Sequence, residues 1–129
     1  MSMERQIAGT ARDLVTSQKQ EGDEKHEKES GYRALCESFP ILLRSAGLAQ
    51  TLSYLRAKKQ GEYGELYGHL ERQFRDLEFL GKEALSEKAA DPRLSTADYR
   101  LYSEVAMQVA LWHKRLAQAL LRQREAKKP

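Results

Sequence analysis

The feature that most limits what this chain can fold into is its shortage of β-branched residues. Val, Ile and Thr together number 9 in 129 residues, against 33 Leu and Ala. β-Branched side chains suit a pleated, half-buried surface, whereas Leu and Ala lose little on entering a helix. An all-β fold is excluded, and a doubly wound α/β sheet does not fit. The length allows one buried core without disulfide or metal staples. The expected fold class is all-α: a compact bundle of about six helices with a long closing helix. Residues 1–129 are expected to form a single helical domain, with 125–129 as a frayed basic tail.

The lone cysteine, Cys36, forms neither an internal disulfide nor a multi-thiolate zinc site. Met1 to Arg5 lacks the apolar core of a signal peptide. No stretch reaches the ~18 consecutive apolar residues of a membrane span. The expectation is a cytoplasmic protein without a membrane partner. Asparagine is absent, which fits a thermophilic origin, although 9 Gln weigh against it.

Apolar spacing outlines the helices. Met3, Ile7, Ala11, Leu14 and Val15 share one face of a first helix over about Met3 to Gln20. Glu21–Gly31 is polar throughout and reads as a solvated loop entering exposed first turns. Tyr32, Leu35, Cys36 and Phe39 form the buried stripe of the next helix, which Pro40 should end or kink, with Ser38 capping a new turn. Gly47 suits a left-handed C′ position, and a further helix follows to the cluster Arg56-Ala57-Lys58-Lys59. Gly61 marks a break. Glu62 to Leu80 is helical, with Gly81 as its stop and Gly64 and Gly68 placed for a close backbone neighbour. Lys82 to Arg93 reads as a short helical turn and loop, with Asp91-Pro92 as a breaker.

The closing helix should start at a Ser95 or Thr96 cap and run to about Arg124. Steps of about 100° per residue gather Leu101, Tyr102, Val105, Val109, Trp112, Leu116, Ala119 and Leu120 on a core arc. A second stripe, Met107, Ala110, Leu111, Ala117 and Leu121, lies roughly opposite. Either the helix is central in the bundle, or Met107, Leu111 and Leu121 form a protein interface; with so few helices available as cover, the sequence reading takes the interface.

Chemistry is sparse. No phosphate-cradling loop or dinucleotide fingerprint is present. His26, His69 and His113 lie far apart, without partners at metal-ligand spacing, and read as surface or half-buried histidines. Cys36 reads as a buried, inert thiol. No Arg stands four to six residues before a His, so the Arg-x-x-x-x-His pattern of helical ribonucleases is missing. The expectation is a non-enzyme with no metal, no cofactor and no small-molecule substrate.

Charge is more informative. The net charge is +3, yet Leu111–Pro129 holds six Lys/Arg against one Glu, so the rest of the chain is slightly acidic. Arg44, Arg56, Lys58 and Lys59 form one basic group. Lys114, Arg115, Arg122, Arg124, Lys127 and Lys128 form another, with Arg115 and Arg122 two turns apart on one side of the closing helix. Such cations fit phosphates along a nucleic-acid backbone, where position and charge count rather than base identity. Solubilising charge and a frayed tail account for them equally well.

Two blocks carry a family resemblance. The first runs from Tyr32 through Pro40 and Gly47-Leu48-Ala49-Gln50-Thr51-Leu52 to Leu55, followed by Lys58-Lys59. The second is Tyr99–Leu120, around Trp112-His113-Lys114-Arg115-Leu116-Ala117. Together they resemble the small helical subunit of the Cmr complex, the type III-B CRISPR RNA-targeting effector. The resemblance implies a non-catalytic helical bundle that stacks in several copies beside other effector subunits. These copies help form the basic groove holding the guide RNA–target RNA duplex. It implies a structural Gly47-Leu48 turn and Gln50, and RNA phosphate contacts at Lys58, Lys59, Lys114 and Arg115, then Arg44, Arg56 and Arg122. The alternatives are a helical protein–protein adaptor without RNA contact, and the small subunit of the related type III-A complex.

Overall fold

A computed structural model describes residues 2–19, 26–58 and 61–123, apart from the side chain of His26. It contains six helices: α1 Met3–Thr16, α2 His26–Ala46, α3 Leu48–Lys58, α4 Gly61–Asp76, α5 Leu85–Ala90 and α6 Thr96–Leu120. No strand occurs among the described residues. The all-α class, the helix number and the long closing helix agree with the sequence expectation.

α6 lies between α1 and α2, while α4 packs on α1 and α2 from the other side, giving a four-helix core. α3 covers α4 beside α2, and α5 covers α3. Ion pairs and hydrogen bonds set the directions. Glu29 meets Arg122 and Glu37 meets Gln118, so α2 and α6 run antiparallel. Gln6 reaches the carbonyl of Asp76 and Gln18 reaches Glu65, so α1 and α4 do likewise.

The helix starts follow the capping rules. Ser2 accepts the Arg5 N–H at 3.3 Å, and Ser95 accepts the Asp98 N–H at 3.1 Å. Gly47, at φ 82°, turns the chain from α2 into α3. The Ala49 N–H then donates to the Tyr99 hydroxyl at 3.2 Å, tying that turn to the start of α6.

α2 does not break at Pro40. It runs unbroken from His26 to Ala46, and Ser38 donates to the Leu35 carbonyl instead of capping a new turn. Proline inside a helix costs about 3 kcal/mol. Tyr32, Cys36, Phe39 and Leu43 are all buried on both sides of it, and each large core side chain contributes about 1.5–3 kcal/mol. Packing therefore outweighs the local preference. The same helix corrects the reading of Glu21–Gly31: residues 26–31 are its first turns, and Glu29 and Ser30 are buried. Residues 21–25 lie outside the described region.

α4 stops at Asp76, before Gly81. The Phe79 N–H bonds the Phe74 carbonyl and the Glu78 N–H bonds the Arg75 carbonyl, the two bonds of a Schellman stop. Phe79 then packs on Phe74 with ring centroids 5.9 Å apart, and Tyr102 completes an aromatic trio. Glu78 thus occupies the left-handed position at φ 64°. Glycine takes that conformation without the Cβ clash. Glu78→Gly is expected to stabilise the chain by about 1 kcal/mol, read as a rise in the urea midpoint. Gly68 has open space around the position of a Cβ, so no neighbouring backbone approaches it there.

Candidate nucleic-acid interface

α6 decides which predicted residues reach the surface. Its buried residues are Tyr102, Val105, Ala106, Val109, Ala110, His113 and Ala117. The core face is therefore rotated from the predicted arc: Ala110 and Ala117 belong inside, while Leu101, Ala119 and Leu120 are exposed. Neither Ala106 nor His113 is strongly apolar, so hydrophobic spacing does not mark them as core, yet both sit on that face. The predicted second stripe splits accordingly. Leu121 is only 5% exposed and packs in the core, so it offers no surface to a partner. Met107 is half-buried, and Leu111, at 37%, is the most exposed of the three.

The predicted cations separate in the same way. Arg122 lies beyond the end of α6 and turns back to α2. Its Nε and Nη2 each stand 2.9 Å from Glu29 Oε2, and its backbone N–H donates to Oε1 at 2.9 Å. It does not line up with Arg115, because the helix ends at Leu120. Arg56 donates to Ser86 at 2.8 Å and pairs with Glu87 on α5 at 3.5 Å. These two arginines hold the fold together.

Arg44, Lys114 and Arg115 have no ion-pair partner among the described residues. Lys114 stands one turn before Gln118, which bonds Glu37 on α2, so it rises on the α2 side of α6. The antiparallel register brings exposed Arg44 to the level of this stretch of α6. Arg115 sits about 100° further round, in a groove of about 480 Å³ with Met3, Glu4, Leu111 and Trp112. Glu4 dilutes its positive charge there. Lys58, at the end of α3, has its ammonium 5.3 and 5.2 Å from the ring centres of Tyr54 and Tyr63. Lys59 lies outside the described residues, as do Arg124, Lys127 and Lys128. The structure thus brings Arg44 and Lys114 to one flank and leaves Arg115 and Lys58 elsewhere.

The interior holds a polar chain that sequence spacing did not reveal. Gln73 Nε2 donates to the Ile7 carbonyl at 3.2 Å, which leaves Gln73 Oε1 as acceptor for His113 Nε2–H. His113 Nδ1 must then accept from the Tyr32 hydroxyl at 3.1 Å, and Tyr32 accepts in turn from His69 Nδ1–H at 2.7 Å. His69 Nε2 faces Glu65 at 3.8 Å. Burial, with His69 close by, holds the His113 pKa down to about 3. Burial also lowers His69, against the pull of Glu65 and with a further push from Arg72. Both rings are thus neutral linkers of α1, α2, α4 and α6. Burial pushes the Cys36 thiol up to about 12, so it is protonated and unreactive at neutral pH. Among the described residues, no group of three His, Cys, Asp or Glu side chains is arranged to hold a metal ion. No described helix is long and apolar enough to cross a membrane.

This is the architecture of a small helical protein whose surface offers cations and apolar patches. A family model described as CRISPR-associated protein (Cas_Cmr5) matches residues 3–120. The chain belongs to that family, and so is a small Cmr subunit, as the Tyr32–Leu55 and Tyr99–Leu120 blocks suggested. Its fold matches the crystal structure of a CRISPR-associated Cmr5 family protein from Thermus thermophilus, with a TM-score of 0.74 and 24% identity, covering 95% of this chain and 100% of that one. No curated protein matches.

Proposed function

We propose that this chain is a non-catalytic subunit of a type III-B CRISPR ribonucleoprotein. Several copies stack beside the other subunits, and the α2–α6 flank contributes to the basic groove around the guide RNA–target RNA duplex. The observation that carries the reading, beyond family membership, is Arg44 and Lys114 standing on one flank with no ion-pair partner among the described residues. Phosphates are the complementary ligand, recognised by charge and position. Arg115 and Lys58 are separate basic points away from that flank, while Arg56 and Arg122 act within the fold.

In isolation the chain should bind RNA weakly and with little sequence preference. Affinity should fall linearly on a log–log salt plot, by about 0.7 per neutralised phosphate on single strands. Neutralising Arg44 and Lys114 together should lower that slope by about 1.4, and charge reversal at Lys114 and Arg115 should weaken target-RNA retention by the assembled complex. Retention unchanged after all three substitutions rules out the phosphate role. The exposure of Leu111 supports a second reading, an adaptor without RNA contact. Under it, Leu111→Glu stops assembly while the basic residues are dispensable.

A further inference from the structure

A slot between α2, α3 and the start of α4 is left unused by the phosphate contacts. It is an open depression of about 330 Å³, walled by Leu35, Ile41 and Leu42 from α2, Tyr54 from α3 and Tyr63 from α4. Ile41 is 66% exposed and Tyr54 43%, so two large side chains present apolar and aromatic surface to solvent along one slot. Ser38 and Ser45 also line the slot, but their hydroxyls donate to the carbonyls of Leu35, Ile41 and Leu42. The walls therefore offer apolar and aromatic surface without a free hydroxyl hydrogen from either serine. At one end Tyr54 and Tyr63 meet edge to face, with centroids 5.9 Å apart and planes at 81°. The Lys58 ammonium lies about one ring-width from both, without a carboxylate partner among the described residues.

We propose that this slot takes one unpaired nucleotide of an RNA strand, with its base against Tyr54 and its phosphate at Lys58. The inference rests on the RNA-contact reading above and adds a site to it. The volume is at the small end of the ~300–1,000 Å³ typical of ligand sites. It suits one planar group better than the row of side chains that a docked helix presses into a groove. A cation next to an aromatic face calls for a ligand with both a π-surface and an anion, and a nucleotide carries the two on one unit. With both serine hydroxyls turned to backbone carbonyls, the two tyrosine rings make stacking the main hold on a base, which tolerates any base identity. It discriminates instead by strandedness, since a base inside a duplex is already stacked and paired and turns outward only at the cost of both.

Fluorescence anisotropy of the full chain with a labelled single-stranded RNA and with a hairpin duplex tests this. Tyr54→Ala should weaken single-strand binding roughly 5- to 150-fold, the effect of losing one base–aromatic stack, and leave duplex binding unchanged. Tyr54→Trp should restore it, and Lys58→Ala should weaken it with a smaller salt slope. Circular dichroism checks that each variant is folded. Equal loss on single strand and duplex, or no loss on either while Arg44 and Lys114 variants still weaken binding, overturns the slot and keeps the phosphate reading. No RNA binding by the unmodified chain overturns both. If Ile41→Glu and Tyr54→Ala block assembly with the other effector subunits but leave RNA binding intact, the slot is a protein-docking surface and the nucleotide proposal fails.

Discussion

Replacing Arg122 with Ala should lower the folding stability of this chain by about 3 kcal/mol. The Glu29 carboxylate that it holds has a side-chain exposure of 0%, and both guanidinium contacts are 2.9 Å long. Removing the guanidinium takes a counter-ion from a buried carboxylate, and breaking a buried pair costs about 3–5 kcal/mol. Arg122 itself is partly exposed, so water reaches the gap and keeps the loss near the lower end. Lysine keeps the charge but not the planar fork, and Arg122→Lys should fall between the two. The double variant Glu29→Leu with Arg122→Leu should lose less than Arg122→Ala, because the buried carboxylate is removed along with its guanidinium. Urea unfolding followed by circular dichroism measures all three. A loss below about 1 kcal/mol for Arg122→Ala would place the pair with ordinary surface ion pairs and sink the argument.

Acid should unfold the chain more steeply than its carboxylates alone would cause. His113 is neutral in the fold, with its pKa held near 3, against 6.5 for the unfolded side chain. A base whose folded pKa is depressed binds its proton more readily in the unfolded state, so its full contribution is present above pH 6.5. Stability then falls as pH drops, by about 1.4 kcal/mol per unit between 6.5 and 3. At pH 4.5 the loss from this one ring is about 3 kcal/mol. His69 is lowered as well and adds to the slope in the same direction. The hydrogen bonds give the structural reason. Protonating His113 at Nδ1 turns the acceptor of the Tyr32 proton into a donor and breaks the chain in the middle. Unfolding free energies from pH 7.5 to 4.5 should show the slope, and His113→Leu should flatten it while lowering stability at pH 7.5. A His113→Leu variant with the same pH slope as the parent would show that the ring does not carry it.

The helices were legible because Leu and Ala recur at helical spacing and because Ser95 and Gly47 act through local backbone chemistry. The Pro40 break and the Gly81 stop were misread for a shared reason: Pro40 sits inside a helix, and Glu78 takes the left-handed position that ends α4. Each occupies a conformation its own residue type disfavours, and packing of Phe39, Leu43 and Phe79 around it decides the outcome. The family blocks pointed to the Cmr subunit, but charge counts did not tell surface cations from structural ones. Arg115 and Arg122 look alike in the sequence, and only the end of α6 and the buried Glu29 separate them. A signal for Glu29 was present: it stands three, seven and ten residues before Tyr32, Cys36 and Phe39, on the same apolar stripe. A charged residue at such a position calls for a buried counter-ion. His69, Gln73 and His113 escaped because their pairing depends on three helices meeting, which no local spacing encodes.

The placement of α6 between α1 and α2 also sets a schedule for making the protein. Glu29 and Arg122 are 93 residues apart, and the helix that joins α1 to α2 is the last of the six to be translated. At roughly 5–20 residues per second, the ribosome takes on the order of 5–20 s to pass from one to the other. During that interval Ile7, Val15, Tyr32 and Phe39 have been synthesised but lack the surface that later covers them. Native assembly therefore waits for α6, and a nascent chain interrupted before α6 carries exposed apolar helices that a chaperone would recognise and a protease would reach.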